Sequence, residues 1–529
     1  MNEQLWILLV FIAYFGLIIG LAIRFRKSQN MTDYYLAGRN LNTWVGALSA
    51  QTSDMSGWLL MGLPGAIYAM GTGRVWIAIG LIIGTVLNWV FVAKKLRRYT
   101  IVANNSVTLP EYFENRFHDK SHILKITAAI FFAIFFTVYA ASGFVAGGTL
   151  LPQIFPDISY QWAVVIIAAF VVLYTLIGGL MAISWTDSIQ GMMMLLAVLI
   201  LPIIIIAQMG GWSEVSAAFT AEDAPYNYLN IFYRGGEPIS PRFVISDLAW
   251  GLGYFGMPHI LVKLIAIKKE RNVHKSAIIA IIWVVLALGA AVMVGLTARA
   301  FVPGLDNSET AFITSVREIF FDSGVPMLLI GSLFLVGMFA AIKSTADSQL
   351  LVGSSAIGDI YKQANKKASD RHLVWFSRGA VLVVALVAMW IAVDAYDPEL
   401  GGPNRNTGVM VLVAMAWAGF GAAFGPVVLC SLFWKRTNRI GAIAGVLVGG
   451  LTVIVWHYVD FISVDVLNTT TGYYETVRQS LNAYTGIFSI VPGFALSLAA
   501  IIIGSLATKK PSAEIIAQFE TAQKPLVED

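Results

Sequence analysis

The sequence predicts an all-α integral membrane protein of about 13 transmembrane helices, and three observations carry that expectation. Of 529 residues, 57% are hydrophobic and only 12% are charged, about half the charged share of a soluble domain, so too few polar side chains remain to cover a surface in water. The apolar residues gather in runs of about 20, the length that a hydrocarbon core of roughly 30 Å demands of a helix. Most of the 35 basic residues fall in alternate loops, the asymmetry expected when Lys and Arg are retained on the cytoplasmic side. A membrane barrel would instead show alternating strands of about 10 residues.

The runs lie near 5–24, 43–70, 75–93, 124–150, 161–183, 188–209, 243–266, 276–298, 326–355, 374–393, 408–432, 440–458 and 485–506. The first is followed, not preceded, by Arg24, Arg26 and Lys27, which reads as a retained span with its N-terminus outside and not as a cleaved signal peptide. Basic clusters Lys94–Arg98, Lys268–Arg271 and Lys435–Arg439 then mark inner loops, and an odd number of spans puts the C-terminus inside. The expected organisation is a first helix and cytoplasmic loop (1–42), a five-helix repeat (43–209), an extracellular loop (210–242), a second five-helix repeat (243–432), two more helices (433–508) and a cytoplasmic tail (509–529).

Several classes are excluded. Net charge is +4 with the charges scattered, so the basic stripe of a nucleic-acid binder is missing. The single cysteine, Cys430, lies in an apolar run, where an inert thiol is the ordinary reading. No HExxH, GxxxxGK[ST] or metal-spaced His/Cys cluster occurs, so an enzyme is not expected, and no cofactor is implied.

Ionisable and polar groups at membrane depth cost roughly 2.5–3.5 kcal/mol or more and mark pathways. In the second run, Ser49, Gln51, Thr52, Ser53, Asp54, Met55, Ser56 and Gly57 interrupt apolar sequence, with Gly62, Pro64 and Gly65 following. Side chains that compete for helical hydrogen bonds, with Gly and Pro beside them, predict a break that presents free carbonyls and amides; a kinked helix packed by small residues is the plainer alternative. A second break is expected at Trp250–His259, rich in Gly and Pro, five spans later. Interrupted helices at matching places of two oppositely oriented five-span units point to a transporter whose site lies at the bilayer midplane. In the ninth run, Ala341, Ser344, Thr345 and Ser348 fall on one stripe, able to offer hydroxyls to a hard cation or only to their own helix. Asp54 is the deep carboxylate. Asp187 is either a second one or a helix N-cap at the cytoplasmic edge. Trp58, Tyr139, Trp250 and Tyr254 supply aromatic walls suited to a small ring or ammonium.

At these residues the chain resembles the sodium/solute symporter family. The matching stretches are ALSA at 47–50, SDMSGWLLMGLPGA at 53–66, FFTVYAASG at 135–143, SWTD at 184–187, WGLGYFG at 250–256, Ser344 with Thr345, QLLV at 349–352 and AWAGFGAAFGPVVL at 416–429. The resemblance implies a leucine-transporter-like 5+5 inverted repeat with discontinuous helices 2 and 7, in the cytoplasmic (inner) membrane. It also implies sodium as the coupling ion and, from the family's proline carriers, L-proline as the solute. By position, sodium would be held by the backbone of Thr52, Met55 and Ala341 and the hydroxyls of Ser344 and Thr345. Solute would be met by Ser56, Gly57, Trp58, Tyr139, Trp250, Tyr254, Met257 and Pro258, with Asp54 required for coupling; Asp187, Lys343 and Asp347 are the further coupling candidates among the charged groups at membrane depth.

Three residues depart from the family's pattern. Met257 stands where its proline carriers usually have Gln, Asp247 adds an acid near Trp250, and Lys343 replaces an apolar residue beside Ser344. Lys343 shares a helix face with Asp347 at i+4, so it reads either as an ion pair with Asp347 or as a surrogate for sodium. The alternatives kept open are therefore another small amino acid or zwitterion, and a proton-coupled or sodium-independent carrier.

Overall fold

A computed structural model describes residues 3–25, 30–220, 227–365, 367–397, 402–403, 407–467 and 474–525; Arg26 and Lys27, named above after the first run, lie outside them. Among the described residues, 11 helices are long and apolar enough to cross a membrane, or 12 when the bent pair Pro241–Phe255 and Pro258–Ile265 counts as one span. The second expected span is not a continuous helix. It divides into α2 (Thr43–Met55), a short 3-10 turn at Gly57–Leu59, and α3 (Gly62–Met70).

The remaining principal helices are α1 (Glu3–Phe25), α4 (Thr72–Val102), α5 (Ile123–Ile154), α6 (Tyr160–Ile177), α7 (Leu180–Gln208), α8 (Pro241–Leu248), α9 (Pro258–Ile265), α10 (Glu270–Phe301), α11 (Val325–Ala364), α12 (Asp370–Asp394), α13 (Val409–Phe433), α14 (Arg439–Tyr458), α15 (Ile490–Ala507) and α16 (Ala513–Gln523). Capping fixes several starts: Asn42 accepts from Val45 N at 2.9 Å, and Asn438 accepts from Gly441 N at 3.0 Å, each satisfying an amide the helix itself cannot. The long helix α11 lies at the centre, packed on α1, α5, α7 and α12, with α2 against its middle; α13 packs on α5, α14 and α15.

Several boundaries differ from the sequence reading, and one of them moves a functional residue. The fifth helix stops at Ile177, because Gly178 and Gly179 take conformations outside the helix, with Gly179 at φ 123. The sixth therefore begins at Leu180, eight residues before the expected 188. Asp187 is consequently inside α7 and fully buried, so the N-cap reading is corrected: Gly179 holds that position. In the loop before the last span, the chain forms an antiparallel hairpin, β1 (Asp460–Leu467) with β2 (Tyr474–Ser480); the alternation in DFISVDVL fits a strand better than a helix.

Candidate functional site

The first break is made by one residue. Ser56 adopts φ 40, ψ −167, a conformation costly for any residue with a Cβ, and α2 ends before it. The last carbonyls of α2 are then released from the helical ladder. The hydroxyl of Thr52 donates within its own helix, to Leu48 O at 2.7 Å, which leaves the Thr52 carbonyl to face outward. Thr345 Oγ1 of α11 approaches that carbonyl at 3.5 Å. Ser344 donates to Ala341 O at 3.0 Å, so of the two readings of the stripe, Ser344 follows the local one and Thr345 reaches across. The arrangement brings the Thr52 carbonyl, the Ala341 carbonyl and two hydroxyls to one seam between α2 and α11, an all-oxygen donor set of the type hard cations take.

The second break faces the first. Residues Ala249–Phe255 form a 3-10 segment between α8 and α9, and Pro258 starts α9 at a position where its missing N–H is not needed. Side chains from this side then meet α2 along its length. The Tyr254 hydroxyl donates to Asp54, His259 Nε2 lies 3.1 Å from Ser53 O, and Lys263 Nζ lies 3.1 Å from Ser49 O. Tyr139 of α5 adds a hydroxyl 3.4 Å from Asp54 O.

Between the breaks lies a cavity of about 10 Å³ lined by Asp54, Met55, Trp58, Leu81, Tyr139, Trp250, Val413 and Trp417. It has room for about one water, so an amino acid enters only when its aromatic walls separate. Those walls are stacked: Trp58 and Trp250 have ring centroids 5.6 Å apart, and Trp250 and Phe488 5.0 Å. Trp417 donates to Trp250 O at 2.7 Å. Of the expected solute-facing residues, Trp58, Tyr139 and Trp250 line the cavity. Tyr254, Ser56, Gly57, Met257 and Pro258 are buried around it but not in its wall.

Both ends of this core are tied shut. Asp247 pairs with Arg74 at 3.0 Å and with Arg234; burial and the nearby Arg74 lower Arg234 to about 10. At the other end Arg97 donates to Ile267 O and Lys268 O, each at 2.7 Å, and Arg39 donates to Ile265 O at 3.1 Å and Ser106 O at 2.9 Å. Charged donors satisfying buried carbonyls make strong, directional ties.

The four residues expected to serve coupling separate into two settings. Asp54 sits between the breaks. Lys343 and Asp347 of α11 lie where α7 packs on it, and Asp187 of α7 turns its Oδ2 to the Ser49 hydroxyl of α2 at 2.9 Å. Lys343 Nζ is 2.6 Å from Asp347 Oδ2, 3.2 Å from the centroid of the Tyr174 ring and 3.4 Å from Thr186 Oγ1. Of the two readings of Lys343, its ammonium takes the ion pair. Sequence reasoning missed Lys263, which pairs with Asp187 at 2.7 Å with both side chains fully buried, and Trp417, which closes the cavity.

The model of the sodium:solute symporter family matches residues 34–449. The chain is 39% identical over 529 residues to a sodium/proline symporter of Haemophilus influenzae, covering 98% of this chain and 97% of that one. It is 41% identical over 526 residues to a sodium/proline symporter of Escherichia coli, covering 97% and 96%. Among solved structures, the substrate-bound outward-open state of a Na+-coupled sialic acid symporter superposes with a TM-score of 0.74 at 18% identity, over 97% of this chain and 100% of that one, a likeness of fold.

Proposed function

Because the chain belongs to the sodium:solute symporter family, we propose that it is a secondary active transporter taking up L-proline with sodium by alternating access. The observation that carries this is the seam at the first break, where carbonyls freed by Ser56 meet the hydroxyl stripe of α11 beside an aromatic cavity. Sodium as co-transported cargo would take the carbonyls of Thr52, Met55 and Ala341 and the hydroxyls of Ser344 and Thr345. Proline, a small zwitterion with a saturated ring, suits the amides of Ser56 and Gly57 and the walls of Trp58, Tyr139, Trp250 and Tyr254, with Met257 and Pro258 at the start of α9.

Binding and movement are linked through Asp54. Its carboxylate accepts from Tyr254, and its carbonyl lies near the Tyr139 hydroxyl, so a solute that parts those side chains disturbs the same turn that offers Thr52 to sodium. The Lys343–Asp347 pair, beside Thr186 of α7, fixes α11 against α7, which supports the direction in which Ser344 and Thr345 face. Opening one set of ties, at Asp247 or at Arg97 and Arg39, admits solute from one side while the other set excludes water.

In this reading the two helix segments 43–70 and 241–265 are each one broken pass. The chain then crosses the cytoplasmic membrane 13 times, with a 5+5 inverted repeat, its N-terminus outside and its C-terminus inside. Uptake of labelled proline into proteoliposomes tests the function: accumulation driven by an inward sodium gradient and abolished without it supports it. Equal uptake with and without sodium, or competition by another small zwitterion that outruns proline, would replace it with one of the alternatives.

A further inference from the structure

The break at Ser56 leaves the carbonyls at the end of α2 without helical amides to receive, and the amides that follow turn elsewhere. Trp58 N donates to Ser56 Oγ at 3.0 Å and Leu59 N to Ser56 O at 3.4 Å. The freed carbonyls are then met by side chains. The Tyr139 hydroxyl lies 3.4 Å from Asp54 O and the Thr345 hydroxyl 3.5 Å from Thr52 O, both long for an O–H···O bond. Ser53 O has a closer partner, His259 Nε2 at 3.1 Å, within the range of an N–H···O bond.

A carbonyl accepts and does not donate, so the proton of His259 sits on Nε2 and Nδ1 is the bare nitrogen. The ring is fully buried, and Nδ1 finds no hydrogen-bond partner among the described residues, so the bond to Ser53 is what sets its orientation. Phe136 and Tyr139 enclose it with ring centroids 6.0 and 5.9 Å away. Four residues further along α9, Lys263 reaches Ser49 O. Thus α9 grips α2 at two carbonyls about one helical turn apart.

The held carbonyl is the neighbour of one assigned to sodium. Successive carbonyls of a helix are set about 100° apart around its axis, so a small rotation of the last turn of α2 would bring Ser53 O towards the seam in place of Thr52 O. A free Ser53 carbonyl would also compete as an oxygen ligand for a hard cation. The bond from His259 removes that competitor and keeps Thr52 and Met55 turned to the ion.

We propose that His259 is a positioning residue for sodium binding: by holding Ser53 O, it selects which of the carbonyls freed at the first break reach the ion. This rests on the sodium-coupled reading above and deepens it, since His259 is not among the residues assigned there to sodium or solute.

The test measures initial proline uptake by wild type, His259→Leu and His259→Gln in proteoliposomes, varying sodium at saturating proline and proline at saturating sodium. His259→Leu loses the donor and is expected to raise the half-saturating sodium concentration about tenfold, with the proline KM at saturating sodium kept within about twofold. His259→Gln carries an amide that can donate near the Nε2 position and is expected to recover most of the sodium affinity. A fall in maximal rate with unchanged half-saturating sodium overturns the proposal, as does a Gln variant no better than Leu, because the ring would then act by filling space. If His259→Leu does not fold, His259→Asn replaces it: the shorter amide stops short of Ser53 O, so the sodium shift is expected again, and a wild-type sodium response overturns the proposal. A second readout is the sodium concentration at the midpoint of the sodium-dependent rise in melting temperature in detergent. That midpoint is expected to move in the same order among the variants, and identical midpoints overturn the proposal. Wild type that takes up no proline with sodium refutes the transport reading instead, and the melting midpoints then judge His259 by themselves.

Discussion

The hydroxyl of Tyr254 donates to the carboxylate of Asp54, joining the two helix breaks across the centre of the protein although the residues are 200 positions apart in sequence. Removing the donor leaves a buried carboxylate short of a partner, which costs about 1–3 kcal/mol. Tyr254→Phe is therefore expected to reduce proline uptake about tenfold or more, since about 1.4 kcal/mol is a factor of ten, with the loss appearing in the sodium concentration needed for half-maximal rate. Sodium titrations of initial uptake rates check it; an unchanged sodium dependence contradicts the link.

Gly57 is closely enclosed. A Cβ there would lie 2.9 Å from Ala146 Cβ and 3.2 Å from Ile342 Cγ1, so Gly57→Ala presses the break away from α11 at the seam. Overpacking of this kind costs about 1–3 kcal/mol, and loss of sodium-dependent uptake is expected. Among the described residues, nothing lies within 4 Å of the would-be Cβ of Gly289 on α10, and Gly289→Ala is expected to transport like wild type. Equal behaviour of the two variants would contradict the close fit.

The Lys343–Asp347 pair is fully buried, so breaking it is worse than removing it. Either Lys343→Met or Asp347→Leu alone is expected to destabilise by about 3–5 kcal/mol, the usual penalty for one uncompensated buried charge. The double variant is expected to recover most of that. Melting temperatures in detergent measure the cycle; two additive losses would show that the residues act separately.

Glu309, in the loop before α11, accepts from the amides of Val409 at 3.2 Å and Met410 at 2.9 Å and so caps α13 next to the Met410 contact of Trp58. Burial holds its carboxyl above the usual range, against the pull of those two amides. A raised folded value means that its contribution to stability is full below the unfolded pKa and is lost as pH rises through the folded one. Glu309→Gln keeps an acceptor without the buried charge, so its melting temperature is expected to match or exceed wild type at pH 7.5, with the difference shrinking towards pH 4.5. Glu309→Ala loses the cap and is expected to lose about 1 kcal/mol.

The parts legible in the sequence were those encoded locally. A run of hydroxyl, amide and carboxyl groups around Ser53–Gly57 marked the first break, and the spacing of Ala341, Ser344 and Thr345 marked a single face. The Lys343–Asp347 spacing allowed the pair that forms. What was not legible depends on distant contacts. Lys263 lies within apolar PHILVKLIAI, and its partners Ser49, Asp187 and Ser348 are 214, 76 and 85 residues away. Trp417 closes the cavity through a carbonyl 167 residues distant. The misplacement of Asp187 had a local remedy: Gly178–Gly179 is a helix terminator that overall apolarity concealed.

Proline counterflow in liposomes, with sodium present or omitted in parallel, tests the central claim most directly because it reports solute and ion in one assay. Labelled proline should accumulate transiently against unlabelled proline only when sodium is present, and the exchange should collapse in a Ser344→Ala, Thr345→Ala variant. Counterflow of the same size without sodium, or undiminished in that variant, would contradict it.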